Sequence, residues 1–344
     1  MRRTRLVPAA AGLLLCLAMA GIAAAQELPR VRLVATGGTI SNREGGRLTA
    51  DDLVGLVPDV RRFARPESEQ FSNTSSSELT LTQWLTLSRR LNELLSTDRA
   101  LAGIVVTSGT DTLEELAYFL HLTVRDARPV VVVGSMRNPS TVGYEGAANL
   151  LEAFRVAASP GARGQGVLVV LNDEINSARE VTKTDALRPQ TFQSRTTGML
   201  GVVDSDRVVF YRSVVKRHTA ASEFDVSKIA ELPRVDVLLV YQDAPGDLIK
   251  AAVDLGARGL VVAAAGAGAT SGTQAEGLSY AAGKGVTVVV TTRTGSGRVS
   301  GARRFGAAFV GGEDLAPIKA RILLMLALAT TKDPAEIQRM FLEY

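Results

Sequence analysis

The apolar positions of this chain alternate between short continuous runs and longer periodic segments. The runs are rich in Val, Ile and Leu and span 31–36, 103–107, 130–134, 167–171, 235–241, 259–264 and 286–291. Between them, apolar residues recur with helical spacing, as in 81–95, 112–124, 146–158 and 246–255. Strand-like runs that alternate with amphipathic helices are typical of βαβ units, and unbroken apolar runs indicate strands buried on both faces. The pattern predicts an α/β fold with a parallel sheet.

This rhythm breaks between residues 211 and 233, where charged residues, Ser and Thr replace the periodic pattern. We interpret 213–233 as a linker between two α/β domains. The larger N-terminal domain, residues 26–212, is expected to contain a doubly wound parallel (flavodoxin-like) sheet. The smaller C-terminal domain is expected to span 234–344.

The first 25 residues have the pattern of a signal peptide. Arg2, Arg3 and Arg5 precede an apolar stretch, and small residues at 23–25 offer a cleavage site before Gln26. Removing these three arginines leaves 36 basic residues against 35 acidic ones. No basic cluster remains to favour nucleic acid or a membrane surface. We therefore expect a periplasmic or secreted protein that binds neither nucleic acid nor, after signal removal, a membrane.

Candidate chemistry begins where the first strand ends. Residues 31–36 run into Gly37 and Gly38, and the next side chain is the hydroxyl of Thr39. The crevice beyond the carboxyl ends of parallel strands is where ligands bind. A glycine turn there presents a hydroxyl with little bulk around it. An ordinary strand-ending turn is the alternative interpretation of this junction by itself.

Two further polar segments point to the same crevice. The strand 103–107 leads to Gly109, Thr110, Asp111 and Thr112, and Thr112 has capping-box spacing to Glu115. Lys183 lies in a Val-Thr-Lys-Thr segment after the strand 167–171. An Asp and Lys pair beside a threonine can orient the hydroxyl and take its proton, and donors at the glycine turns can hold an oxyanion.

Four segments in order carry a resemblance to a known family. They are 36–40 (TGGTI), 107–112 (TSGTDT), 129–137 (PVVVVGSMR) and 181–184 (VTKT). Together they resemble the bacterial type II (periplasmic) L-asparaginase and glutaminase-asparaginase family. The similarity extends to the helix that contains Lys319 and to the ending at 331–338. It implies a homo-oligomeric amidohydrolase, a tetramer, that needs no metal or organic cofactor.

The resemblance also implies roles for individual residues. Thr39 is expected to be the nucleophile that forms an acyl-enzyme with L-asparagine, or also L-glutamine. Thr110, Asp111 and Lys183 are expected to form the activating group. The implied substrate contacts are Gly38, Ser76, Ser77, Gly109, Thr110 and Asp111, where Ser77 replaces the glutamine of many relatives.

The segment that follows Thr39 departs from the family pattern. Residues 40–53 would form a short lid with Gly45 and Gly46, and no tyrosine precedes Tyr118, although relatives carry one near the nucleophile. A periplasmic binding protein that holds an amino acid without turnover is the alternative from another class. An amidotransferase that acts on charged tRNA has less support, because the chain carries an export signal and no basic surface.

Overall fold

The computed structural model describes residues 27–300, 306 and 309–344, so the predicted signal peptide lies outside the described residues. The strands are β1 (Arg30–Gly37), β2 (Asn42–Arg43), β3 (Gly46–Arg47), β4 (Arg65–Thr74), β5 (Leu101–Thr107), β6 (Val130–Val133), β7 (Val167–Leu171), β8 (Glu174–Ser177), β9 (Thr182–Lys183), β10 (Phe192–Gln193), β11 (Gly201–Val203), β12 (Val208–Phe210), β13 (Val235–Leu239), β14 (Gly259–Ala264), β15 (Thr287–Thr292) and β16 (Phe309–Gly311). The helices are α1 (Ala50–Gly55), α2 (Leu81–Thr97), α3 (Leu113–Thr123), α4 (Gly146–Ala158), α5 (Asp247–Asp254), α6 (Gln274–Gly283), α7 (Pro317–Leu328) and α8 (Pro334–Glu343).

The described strands form two main sheets, as the α/β prediction requires. The larger has the order β12-β11-β8-β7-β6-β5-β1-β4, and the smaller has the order β13-β14-β15-β16. All pairs of the smaller sheet are parallel, as are the pairs from β4 through β7 in the larger one. The predicted α/β class with a larger and a smaller parallel-dominated sheet is confirmed.

Part of the larger sheet was not predicted. Strands β8, β11 and β12 extend it in antiparallel pairs beyond β7, and β4 forms the opposite edge. β4 reads RPESEQFSNT and has no apolar periodicity. Charged hydrogen bonds to the neighbouring strand stabilise it instead. Glu67 accepts hydrogen bonds from Arg30 at 2.6 Å and from Arg32 at 2.5 Å. An edge strand with one open side needs no continuous apolar pattern.

One hydrophobic core joins the two sheets. Helices α2 and α3 cover one face of the larger sheet, and α4 covers the other. Helix α7 packs against both α3 and the smaller sheet, and its residues from Ile322 to Ala327 are fully buried. An apolar helical segment of this kind is expected where it is surrounded by protein. None of the helices in the described part of the chain is both long and apolar enough to cross a bilayer.

His121 lies inside this core. It is fully buried on α3, where Nδ1 accepts a hydrogen bond from Val167 N at 3.1 Å. Its ring centroid is 5.1 Å from that of His218. Burial and the neighbouring ring hold the pKa of His121 well below the usual value of 6.5. The folded protein therefore keeps this imidazole neutral.

We predict that His121 makes stability fall in mild acid. Below about pH 6.5 the unfolded chain binds a proton that the folded chain refuses, so the free energy of unfolding drops as pH falls, by about 1.4 kcal/mol per pH unit. Burial raises the pKa of Glu152 to about 8, so protonation of this carboxylate increases the free energy of unfolding as pH falls. This opposite effect is the same in wild type and variant. The His121→Gln variant should therefore show the shallower pH dependence in urea unfolding. Equal slopes for the two proteins would contradict the prediction.

Candidate active site

The two predicted polar turns lie side by side at one edge of the larger sheet. β1 and β5 are parallel neighbours, so their carboxyl ends meet. Thr36 Oγ1 donates to Thr107 O at 2.6 Å, and Thr36 N donates to Thr107 Oγ1 at 3.1 Å. These buried bonds tie the ends of the two strands together and fix the starting points of both turns.

The turns touch through their glycines. Gly37 and Gly38 have φ values of 103° and 90°, which L side chains rarely adopt. A Cβ atom on Gly38 would lie 2.3 Å from Gly109 N, so the two backbones are in contact and leave no space for a side chain. Gly38 N donates to Thr74 O at 2.9 Å. The next residue, Thr39, is thereby held beside the Gly109 turn.

Thr39 begins a short 3₁₀ turn, Thr39–Ser41, and is half-buried. Ser41 Oγ donates to Gly38 O at 3.0 Å, and Tyr144 Oη donates to Ile40 O at 2.9 Å. Among the residues that the structure describes, no hydrogen-bond partner engages the Thr39 hydroxyl. The turn is restrained by its neighbours while its hydroxyl stays available.

Lys183 reaches the second turn from β9. Its Nζ lies 3.1 Å from Thr110 Oγ1 and 2.8 Å from Asp111 Oδ1. Thr110 is buried, the Lys183 side chain is 15% exposed, and the Asp111 side chain is 76% exposed. The Lys183 amine therefore lies within proton-transfer distance of the Thr110 hydroxyl. The open carboxylate of Asp111 can meet a cationic group of a ligand.

The two predicted serines differ in position. Ser76 is buried in the 3₁₀ turn Ser76–Glu78, and its Oγ lies 2.8 Å from the place that a Cβ on Gly109 would occupy. Ser76 therefore adjoins the same turn as Thr110. Ser77 is exposed, and the atoms nearest to the Gly109 Cβ position belong to Ser76 instead. The structure thus gathers Gly38, Thr39, Ser76, Gly109, Thr110, Asp111 and Lys183, and leaves Ser77 outside this cluster.

The capping-box spacing of Thr112 and Glu115 places the start of α3 correctly, but the capping hydrogen bonds are absent. Thr112 occupies the position before α3 with φ −126° and ψ 17°, and its side chain makes no capping hydrogen bond. Glu114 and Glu115 lie in the first turn of α3, where negative charge offsets the helix dipole. Glu114 has a further contact, because its Oε1 accepts hydrogen bonds from Thr182 Oγ1 and Lys183 N, each at 3.0 Å.

The segment after Thr39 is an ordered hairpin of β2 and β3 that leads into α1. Glu44 N donates to Ser140 Oγ at 2.9 Å, and Asn73 Nδ2 donates to Leu48 O at 3.2 Å. Thr49 caps α1 in a reciprocal pair with Asp52. The short lid therefore rests against the loop before α4, whose Tyr144 lies at its base.

Glu114 and Tyr144 were missed by sequence reasoning. Glu114 looks like an ordinary first-turn carboxylate, and Tyr144 lies 104 residues after Ile40 in the chain. Neither belongs to a local motif, so only their contacts mark them. In the part of the chain that the structure describes, no three His, Cys, Asp or Glu side chains converge into a metal-binding group.

Comparison with known proteins assigns the family. The protein-family model described as "Asparaginase, N-terminal" matches residues 30–216. A second family model, described as "Glutaminase/Asparaginase C-terminal domain", matches residues 234–341. The chain belongs to the asparaginase family.

Individual asparaginases are similar over most of the chain. L-asparaginase 2 of Bacillus subtilis is 42% identical, covering 93% of this chain and 88% of that protein. L-asparaginase 2 of Escherichia coli is 38% identical, covering 96% and 98%. A crystal structure of the probable cytoplasmic L-asparaginase from Campylobacter jejuni superposes with a TM-score of 0.87 at 40% identity, covering 92% and 99%.

We predict that the Gly38 contact tolerates no side chain. The Gly38→Ala variant should lose about 1–3 kcal/mol to the unfavourable φ and a further 1–3 kcal/mol, on the order of other overpacked sites, to the clash with Gly109. Gly45→Ala is the matched control, because its φ is 81° and nothing lies within 4 Å of its Cβ position. Urea unfolding of both asparaginase variants measures the difference, and equal losses would refute the steric argument.

Proposed function

We propose that this asparaginase hydrolyses the side-chain amide of L-asparagine to L-aspartate and ammonia, and that it also accepts L-glutamine, through an acyl-enzyme on Thr39. The observation that carries the proposal is the contact of Lys183 Nζ with Thr110 Oγ1 and Asp111 Oδ1, next to the restrained turn of Thr39. Glutamine is included because a relative that is 36% identical, from Pseudomonas fluorescens, is named glutaminase-asparaginase.

In the first half-reaction the Thr39 hydroxyl attacks the amide carbon of the substrate. A threonine is a weak nucleophile until a neighbouring base takes its proton. The proton passes to the group formed by Thr110 and Lys183, and then to the leaving nitrogen. The C–N bond breaks, ammonia departs, and Thr39 carries the aspartyl ester. In the second half-reaction water attacks this ester, releases aspartate and returns the proton to Thr39.

The remaining site residues hold the substrate in this proposal. The exposed carboxylate of Asp111 binds the α-amino group, and the buried Ser76 hydroxyl donates a hydrogen bond to the α-carboxylate beside Gly109. Ser77 would contact substrate only at the rim, since its side chain is exposed. The two glycine turns contribute backbone groups that stay fixed during the reaction, which suits stabilisation of an oxyanion.

We further propose that the enzyme is exported and assembles as a tetramer. Support for export is the signal pattern of residues 1–25 and a 38% identical relative in Haemophilus influenzae named as a probable periplasmic L-asparaginase. Support for assembly is the apolar outer face of β13 and the residues after it. Val237, Leu239 and Tyr241 are all exposed there, and exposed apolar patches mark interaction surfaces.

The Thr39→Ala variant should release no measurable ammonia from L-asparagine while its thermal unfolding stays close to that of wild type. The reason is that the acyl-enzyme loses its only attachment atom. Thr112→Ala is the control, because Thr112 lies beside Asp111 yet makes no side-chain capping bond. It should retain wild-type turnover.

Wild-type turnover by Thr39→Ala would refute the nucleophile assignment. A wild-type protein that is stabilised by asparagine against heat but releases no ammonia would favour the alternative of an amino-acid binding protein. Parallel assays with L-asparagine, L-glutamine and their D-isomers define the substrate.

The mature protein, purified from the cell envelope, should begin at Gln26. Four copies should associate, so that the assembly has about four times the mass of one chain. Export would remove the signal segment, and burial of the β13 face would drive association. Intact-mass spectrometry gives the first residue, and light scattering gives the assembly. A chain that retains Met1, or a monomer at micromolar concentration, would contradict the respective proposal.

A further inference from the structure

Lys319 carries a buried ammonium group. The residue lies in the C-terminal domain, and its side chain contacts the backbone of the N-terminal domain. It lies on α7 and is 1% exposed. Its Nζ donates to Ala178 O at 3.0 Å, to Arg179 O at 3.1 Å and to Val181 O. An ammonium has three donors, so all of them are used on one stretch of backbone. Burial lowers the pKa of Lys319 to about 8.

Glu114 holds the next part of the same stretch. Its side chain is buried on α3, with Oε1 bonded to Thr182 Oγ1 and Lys183 N. Its Oε2 lies 3.9 Å from Lys319 Nζ and has no hydrogen-bond partner among the described residues. The carboxylate therefore faces Lys319 with one oxygen and binds the 182–183 backbone and hydroxyl with the other.

Together the two side chains form hydrogen bonds with five polar groups of residues 178–183. The segment ends in Lys183, whose Nζ contacts Thr110 and Asp111. The strand ladder adds little restraint there, because β9 is two residues long and pairs with β10 alone. Glu114 bonds directly to Lys183 N and Lys319 bonds to the carbonyl groups just before it, so both side chains restrain the Lys183 backbone.

Stability is a weak explanation for this pair. Removing two charges from water costs free energy that their attraction often fails to offset, and apolar residues of similar volume can serve a core as well. Most residues of α7 beside Lys319 are apolar, and Ala320 and Ile322 to Ala327 are buried, so an apolar side chain at 319 would match them. A requirement to hold the 178–183 backbone in one position accounts for the pair better.

We propose, on the basis of the proposed function, that Glu114 and Lys319 are positioning residues that hold Lys183 against Thr110, so that the C-terminal domain completes the active site of its own chain. Neither side chain needs to touch substrate. Their effect is on the distance between Lys183 Nζ and Thr110 Oγ1.

Three variants of the full-length enzyme test this proposal: Lys319→Met, Glu114→Gln and the double variant. Lys319→Met should lower kcat for ammonia release about 10- to 100-fold, as expected for a displaced catalytic group, with KM nearly unchanged. Amide hydrogen exchange in residues 178–184 should become faster. Glu114→Gln keeps an oxygen for Thr182 and Lys183, so it should have the smaller effect and serves if Lys319→Met fails to fold.

The double variant separates positioning from stability. Lys319→Met leaves the Glu114 carboxylate buried without its cation, which destabilises the fold. Adding Glu114→Gln removes that charge, so the melting temperature should recover. The kcat should stay low and exchange should stay fast, because the carbonyl groups of 178–181 still lack their donor.

Arg321→Met is the matched control on the same helix. Arg321 also reaches the other domain, with Nη1 4.0 Å from Glu115 Oε2, and its Nε donates to Val235 O at 2.9 Å. No hydrogen bond or ion pair links it to residues 178–183, so its loss should lower the melting temperature without changing kcat or the exchange of that segment.

Wild-type kcat and wild-type exchange in Lys319→Met would overturn the positioning proposal. A kcat that recovers together with the melting temperature in the double variant would also overturn it, since that result indicates a purely structural pair. A wild-type enzyme without ammonia release would instead overturn the proposed function, and the positioning proposal with it. The two failures are therefore distinguished by the wild-type assay.

Discussion

The contact between the Gly38 and Gly109 backbones is the constraint on which the rest of the site depends. β1 and β5 are parallel neighbours, and Thr36 joins their ends by two hydrogen bonds to Thr107. The chain then turns at both strand ends within one crevice. Because neither glycine has a Cβ, the turns approach closely enough for Thr39 to follow directly on the contact with Gly109.

The third component of the site comes from farther away and needs support from both domains. Lys183 lies on a two-residue strand at the end of a segment that Lys319 and Glu114 hold. The hydrophobic core explains how such distant residues meet. Helices α3 and α7 pack against each other between the two sheets, and Glu114 and Lys319 project from these helices toward the same backbone.

Sequence reasoning succeeded where one local pattern determines one local structure. Helix α4 spans Gly146–Ala158, as its periodicity predicted, and the valine run at β6 is buried on both faces. It failed for β4, whose polar residues are stabilised by arginines of the neighbouring strand, and for β8, β11 and β12, which are short. The capping-box spacing at Thr112 predicted the start of α3 but not the side chain, which makes no capping hydrogen bond.

The sequence by itself determined the α/β class, the two sheets, the order of the polar turns and the family to which they belong. These properties follow from periodicity and from glycines and hydroxyls that are adjacent in the chain. Only the tertiary structure decided that Ser76 adjoins Gly109 while Ser77 is exposed, that Tyr144 braces the turn of Thr39, and that Lys319 supports the strand of Lys183. These contacts join residues far apart in the chain, and packing between helices and sheets, which leaves no local signature, selects them.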